Sequence, residues 1–279
     1  MSELTVIAGS THALRTRLAD RVAELREVDP LEPINILVGA SLQRPYVERW
    51  LAARLGGHAN VRIFMPGDLA LLLGAPSLVD DGRRALPPLA DRVLLGQVAA
   101  AHTGYFEPVR ETPGFAEALY RLVRELKGAG YPVADLGGLL DGVTDAPGKA
   151  SSLAGLLTAF EHRRRAFYGP DDALAAAEPW RLGGLGLLVW GMLDLPGALE
   201  RLLLAIADRM SVDVFVPDVR VARDAPLGAV RERLLSAGGH LTQPDERVRE
   251  DTALAAVRQR LFTVPAAPAI TADASLRLV

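Results

Sequence analysis

The stretch Leu4-Thr5-Val6-Ile7-Ala8-Gly9-Ser10-Thr11-His12-Ala13-Leu14-Arg15-Thr16 decides how the rest of the chain is read. Leu4–Ala8 is an apolar run suited to a buried strand, and His12–Glu27 follows with Leu14, Leu18, Val22 and Leu25 on one helical face. A strand that ends in glycine and feeds a helix is where a phosphate-binding loop, G-x-x-x-x-G-K-[ST], sits. Its glycines let backbone amides curl around phosphates, its lysine reaches the β and γ phosphates, and its hydroxyl holds magnesium. Gly9 and Thr16 fit, but Leu14 stands at the second glycine and Arg15 at the lysine. Leucine lacks the backbone freedom of glycine, and a planar guanidinium does not replace an ammonium point charge. Two readings stay open. Gly9, Ser10, Arg15 and Thr16 form a degenerate phosphate loop, or the stretch is an ordinary strand–turn–helix whose helix N-terminus holds an anion weakly.

Working outward, Ile34–Gly39 predicts a second strand, and Ser41 is placed to cap a helix that runs to Leu55 and stops at Gly56-Gly57. Val61–Phe64 predicts a third strand, with Pro66 and Asp68 opening another helix. From Gly82 to Arg181 strand signals vanish, and Leu89–Ala101, Phe115–Gly130, Ala134–Leu140 and Ser152–Phe167 follow a helical period. Leu185–Gly191 then predicts a strand, Pro196 opens a helix to Met210, Val212–Val216 is a strand and Leu227–Ala237 a helix. A polar stretch follows Gly238-Gly239, then a helix over Asp251–Phe262. Leu276–Val279 reads as the start of a strand inside which the sequence stops. Strand–helix repeats on both sides of a helical block predict one parallel, helix-covered sheet domain, residues 1–80 and 182–279, with residues 81–181 as a helical insertion.

A working nucleotide hydrolase also needs carboxylates at the end of a second buried strand. After Gly186–Gly191 a single carboxylate arrives, Asp194, without a glutamate beside it. It reads either as a degenerate magnesium-site aspartate or as a cap for the helix opened by Pro196. His12, His58, His102, His162 and His240 are scattered without metal-ligand spacing, and no G-x-S-x-G elbow occurs, so neither a zinc site nor a serine hydrolase is expected. The lone (D/E)-x-K match, Glu125-Leu126-Lys127, sits in a helical pattern ahead of every Pro-Asp pair, the wrong order for a PD-(D/E)xK nuclease. Two basic clusters remain: Arg15, Arg17 and Arg21, and Arg163-Arg164-Arg165 near a helix end. Each is either a solvated face that offsets the helix dipole or a set of phosphate contacts.

Composition narrows the class. The 279 residues are 49% apolar and 23% charged with a net charge of −3, which excludes a disordered chain. Cysteine is absent, which excludes thiolate metal sites and cysteine nucleophiles. Only Lys127 and Lys149 are lysines among the 31 basic residues, a skew spread over the whole chain. The acidic balance gives no support to a free-standing nucleic-acid binder. No signal peptide or membrane-spanning run is visible, so a cytoplasmic protein is expected.

This order of features resembles the N-terminal part of the B subunit of AddAB/RexAB-type ATP-dependent helicase–nucleases, the PD-(D/E)xK nuclease family proteins. Leu4–Thr16 stands at that family's phosphate-loop region, and Ile34–Leu55 with Val61–Leu73 resembles its continuation. Phe115–Lys127 and Ala150–Asp172 resemble its helical insertion, and Leu187–Leu195 with Val212–Pro217 resembles the strands that resume the core. The resemblance implies a superfamily 1 helicase-like, P-loop NTPase-like α/β fold whose motor is inactivated. It implies no cofactor in this stretch, contact with DNA, and partnership with an AddA-like helicase–nuclease subunit in double-strand-break repair and recombination. The family's nuclease lies far downstream, so the resemblance also implies that this is the front of a longer exonuclease subunit. The residue-level alternatives are a nucleotide-dependent enzyme that uses Arg15, Thr16 and Asp194, and a purely structural interaction domain.

Overall fold

The computed structural model describes residues 3–57, 59–131, 148–192, 194–217 and 226–244. In chain order its elements are β1 (Leu4–Gly9), α1 (Thr11–Val28), β2 (Ile34–Val38), α2 (Gln43–Leu55), β3 (Val61–Phe64), α3 (Pro66–Asp80) and β4 (Arg84–Ala85). There follow α4 (Ala90–Ala101), α5 (Pro113–Ala129), α6 (Lys149–Arg164), β5 (Phe167–Tyr168), α7 (Pro170–Ala175), β6 (Leu187–Trp190), α8 (Gly197–Ala207), β7 (Val212–Pro217), α9 (Pro226–Ser236) and β8 (His240–Thr242). The expected helices at Ala134–Leu140 and Asp251–Phe262 and the strand at Leu276–Val279 lie outside the described residues. The chain divides into two units, Met1–Phe64 with Gly184–Asp194 and Ala207–Val279, and Met65–Gly183 with Leu195–Ile206. The sequence places the boundary after residue 80; by contacts, α3 groups with the helical segments, as does the chain from Leu195 to Ile206.

The first unit is α/β and holds a six-stranded parallel sheet in the order β3-β2-β6-β7-β1-β8. Register brings Ile36 beside Leu188, Val189 beside Val214, and Val6 beside Val214 from the other flank. The inner strands β2 and β6 are buried throughout, the near-continuous apolar pattern of a parallel sheet covered on both faces. Two polar side chains are buried among them. Asn35 donates to the Gly186 carbonyl at 3.2 Å, and Asp213 accepts from Arg21 Nε at 2.7 Å, tying α1 to β7. That pairing uses one of the arginines of the first basic cluster. Arg17, another, pairs with Glu24.

β8 runs parallel to β1 through Thr5↔His240 and Ile7↔Thr242, in a stretch whose polarity masks a strand. Ser41 does not cap α2. The N-cap position is Leu42, with no side-chain cap, and the turn is braced by Gln43.

The second unit is helical apart from the two-residue β4–β5 ladder. α4, α5 and α6 share a core of Leu95, Val98, Leu119, Val123, Leu156, Leu157 and Phe160. α3 begins at Pro66, with Asp68 accepting from the Met65 N–H at 3.2 Å, as its sequence predicts. It lies so close to α7 that a Cβ at Gly74 would stand 1.9 Å from the Ala173 carbonyl oxygen. The helix expected to continue to Phe167 ends at Arg164, because Phe167-Tyr168 is drawn into β5. Among the described residues no helix is long and apolar enough to cross a membrane.

Candidate functional site

Strand β1 passes into α1 through a single linking residue, Ser10. Its hydroxyl accepts from the Ala13 N–H at 3.3 Å and its carbonyl from the Leu14 N–H at 2.9 Å, the geometry of an N-cap. The positions that would curl around a phosphate are therefore already the first turns of a helix. Leu14 is fully buried in the core and Thr16 is half-buried along the helix. Arg15 turns toward α2, where Nη1 donates to the Tyr46 hydroxyl at 3.0 Å and Cζ lies 5.6 Å from the centre of the Trp50 ring.

In an open parallel sheet, ligands favour the crevice at the carboxyl ends of neighbouring strands whose connections diverge. β2 and β6 are such a pair, since β2 leads outward to β3 and β6 leads back to β7. Their following glycines meet there: a Cβ on Gly39 would lie 2.6 Å from the Gly191 carbonyl oxygen, and Gly191 is in the left-handed region at φ +67°. Gln43 fills what remains. Its Oε1 accepts from the N–H groups of Gly39 (2.8 Å) and Ala40 (3.1 Å), and its Nε2 donates to the Gly191 carbonyl at 3.0 Å. The protein's own amide takes up the donors and acceptor that a ligand would use. Asp194 lies exposed beyond Met192.

One face of α2 carries Leu42, Tyr46, Arg49 and Trp50 at helical spacing. Leu42 is 83% exposed and Tyr46 40%, and Arg15 stands across from them. Among the described residues neither Arg15 nor Arg49 has a carboxylate within 4 Å; Arg49 Nε donates to the Pro45 carbonyl. An exposed Tyr46 ring and a half-buried Trp50 ring beside guanidinium groups without carboxylate partners are elements that a single-strand stacking surface uses. The sequence-level signal was there, aromatics at i and i+4 after an apolar residue, but it is shared with ordinary core helices.

The run Arg163-Arg164-Arg165 splits, because successive helical residues face different ways. Arg163 and Arg165 are exposed, whereas Arg164 is 2% exposed and committed inside the second unit. Its Nη1 and Nη2 donate to the two carboxylate oxygens of Asp172 at 3.0 and 2.6 Å, and it also meets Asp91 and Glu161. Lys127 joins Glu161 at 2.8 Å and Asp172 at 3.0 Å. Arg164 is thereby removed from the candidate DNA contacts, where Arg163 and Arg165 remain. Burial works against a charged Asp172, but Lys127, Arg164 and the Gly169 N–H outweigh it and hold the carboxyl below its ordinary range. For Asp91 and Asp171 burial wins over the neighbouring cations and pushes both carboxyls up. Among the described residues no group of three or more histidine, aspartate or glutamate side chains is arranged to hold a metal ion. Neither a scan against protein-family models nor a search of curated proteins returns a match for this chain.

Proposed function

We propose that this chain is a non-catalytic, helicase-like module that binds DNA and supports assembly, the N-terminal part of a helicase–nuclease subunit acting in double-strand-break repair. In this reading the parallel sheet is a motor core without its motor, and the helical unit between β3 and β6 is an insertion into it. An AddA-like subunit supplies ATP hydrolysis, and the whole complex acts in the cytoplasm.

The observation that carries the reading is the side chain of Arg15. It stands where an active motor needs its phosphate-reaching lysine, yet it is turned onto Tyr46 and Trp50. One orientation accounts for both halves of the proposal, a lost phosphate grip and a gained basic–aromatic face. Base stacking on such a ring contributes about 1–3 kcal/mol by alanine substitution, independent of sequence.

The test is fluorescence anisotropy of a labelled oligothymidine with the protein at low salt, beside ATP calorimetry and an ATPase assay. Weak DNA binding is expected, reduced roughly tenfold by Trp50→Ala, with no ATP turnover. Turnover that Arg15→Ala abolishes, or DNA binding indifferent to both Trp50 and Arg15, overturns the proposal.

A further inference from the structure

A cleft of about 990 Å³ opens within the second unit, between the C-terminal end of α5 and helices α6, α7 and α8. Its floor is apolar, with Leu174, Ala198, Leu202 and Ala205 among the described residues that line it. Its volume lies in the range of small-molecule sites, which combine apolar walls with a few convergent polar groups.

The charges along the cleft do not cancel. Asp172 is saturated by Arg164, Lys127 and the Gly169 N–H, and Glu161 is taken by Lys127 and Arg164. Arg201, the other cation on the wall, donates to the Ala129 and Gly130 carbonyls at 3.3–3.4 Å, where it caps α5. Asp171 is what remains. It lines the cleft half-buried, and among the described residues no hydrogen-bond donor or cation reaches its carboxylate, although Arg124 and Lys127 act on it from farther off.

We propose that this cleft binds an organic cation, an ammonium or guanidinium group on an apolar body, with Asp171 as its counter-ion. The apolar body covers the floor, and the cation supplies the partner that the fold leaves out. A phosphate-bearing ligand is disfavoured, because it would meet a surplus carboxylate while both wall cations are already engaged. Burial pushes the Asp171 carboxyl above its ordinary range against the pull of Arg124 and Lys127, as expected of a half-buried acid short of a partner. The inference does not depend on DNA binding, since its residues belong to a different unit from Arg15, Tyr46 and Trp50.

The experiment titrates 4-phenylbutylamine and its uncharged analogue 4-phenylbutan-1-ol into the full chain. Binding is followed by amide chemical shifts at mildly alkaline pH, which favours the charged form of a carboxyl raised by burial. The amine is expected to bind at millimolar concentration, about tenfold or more tighter than the alcohol, as suits one charge-assisted contact, and to shift the amides of Asp171–Ala175 and Ala198–Ala205. Asp171→Asn should bring the amine down to the affinity of the alcohol while the spectrum stays that of a folded protein. Equal affinity for the two probes, shifts centred elsewhere, no binding at millimolar amine, or amine binding undiminished in Asp171→Asn each overturns the proposal.

Discussion

Arg164 and Asp171 lie seven positions apart in sequence and show opposite solutions to a buried charge. Arg164 is enclosed but answered in charge, with a two-pronged contact to Asp172 and ion contacts to Asp91 and Glu161. Removing Arg164 leaves the largely buried Asp172 without its two-pronged partner, so Arg164→Ala should lower stability by about 3 kcal/mol, read from urea unfolding followed by circular dichroism. Asp171 is less enclosed but unanswered, and its variant should move the other way. Its folded carboxyl is raised by burial, so at neutral pH its charge costs stability. That cost fades as pH falls through the raised folded value toward the unfolded one. Asp171→Asn should therefore be more stable than the parent near neutrality, with the gain shrinking in acid. Asp172 has the reverse sign, because its folded carboxyl is lowered: its contribution is complete above the unfolded value and is lost as pH falls through the folded one. Urea titrations of the parent and Asp171→Asn at neutral and mildly acidic pH check the first of these; equal stabilities at both would contradict it.

At the scale of elements, close approach of backbones sets the tolerances. Gly74 lets α3 lie against α7, and a methyl group there would collide with the Ala173 carbonyl at 1.9 Å, an atom that cannot swing aside. Gly74→Ala should cost about 1–3 kcal/mol through overpacking, against the small gain that alanine brings to an exposed helix interior; thermal unfolding distinguishes the two signs. The five strands β1, β2, β3, β6 and β7 were legible because their runs are apolar and punctuated by glycine and proline. β8 was not, since His240–Thr242 is exposed and its pairing depends on β1, which lies far away in sequence. α7 was hidden for a different reason. It has six residues and opens on Pro170-Asp171-Asp172, which reads as a turn, and its helical state depends on packing against α3 and on Asp172 accepting from the Gly169 N–H. The brace at Gly39 and Gly191 was illegible too, because Gln43 joins two strand ends that are adjacent only in the folded sheet.

For the whole molecule, the sequence displayed an α/β, helical, α/β rhythm and its reading put α3 and α8 with the sheet, whereas by contacts both group with the helical unit; an amphipathic helix has the same period on a sheet as in a bundle. Net charge is a second whole-chain quantity that leaves local arrangement out. A value of −3 argues against a nucleic-acid binder, yet a whole-chain sum does not say which charges are paired with one another. In the second unit Asp91, Glu161 and Asp172 are spent on Lys127 and Arg164, while in the first unit, among the described residues, neither Arg15 nor Arg49 has a carboxylate within 4 Å. On the proposed reading such a face binds through few phosphates and depends on its rings for the rest. With two phosphate contacts on a single strand, the slope of log K against log salt should be about −1.4, since each contact contributes roughly −0.7. Arg15→Ala should make that slope shallower by about 0.7. Trp50→Ala should lower affinity at every salt concentration and leave the slope unchanged, because stacking releases no counterions. Anisotropy titrations of oligothymidine between low and physiological salt separate the two effects. A parent slope near zero would mean that the acidic balance of the whole chain, and not the arginine–aromatic face of α2, governs its encounter with nucleic acid.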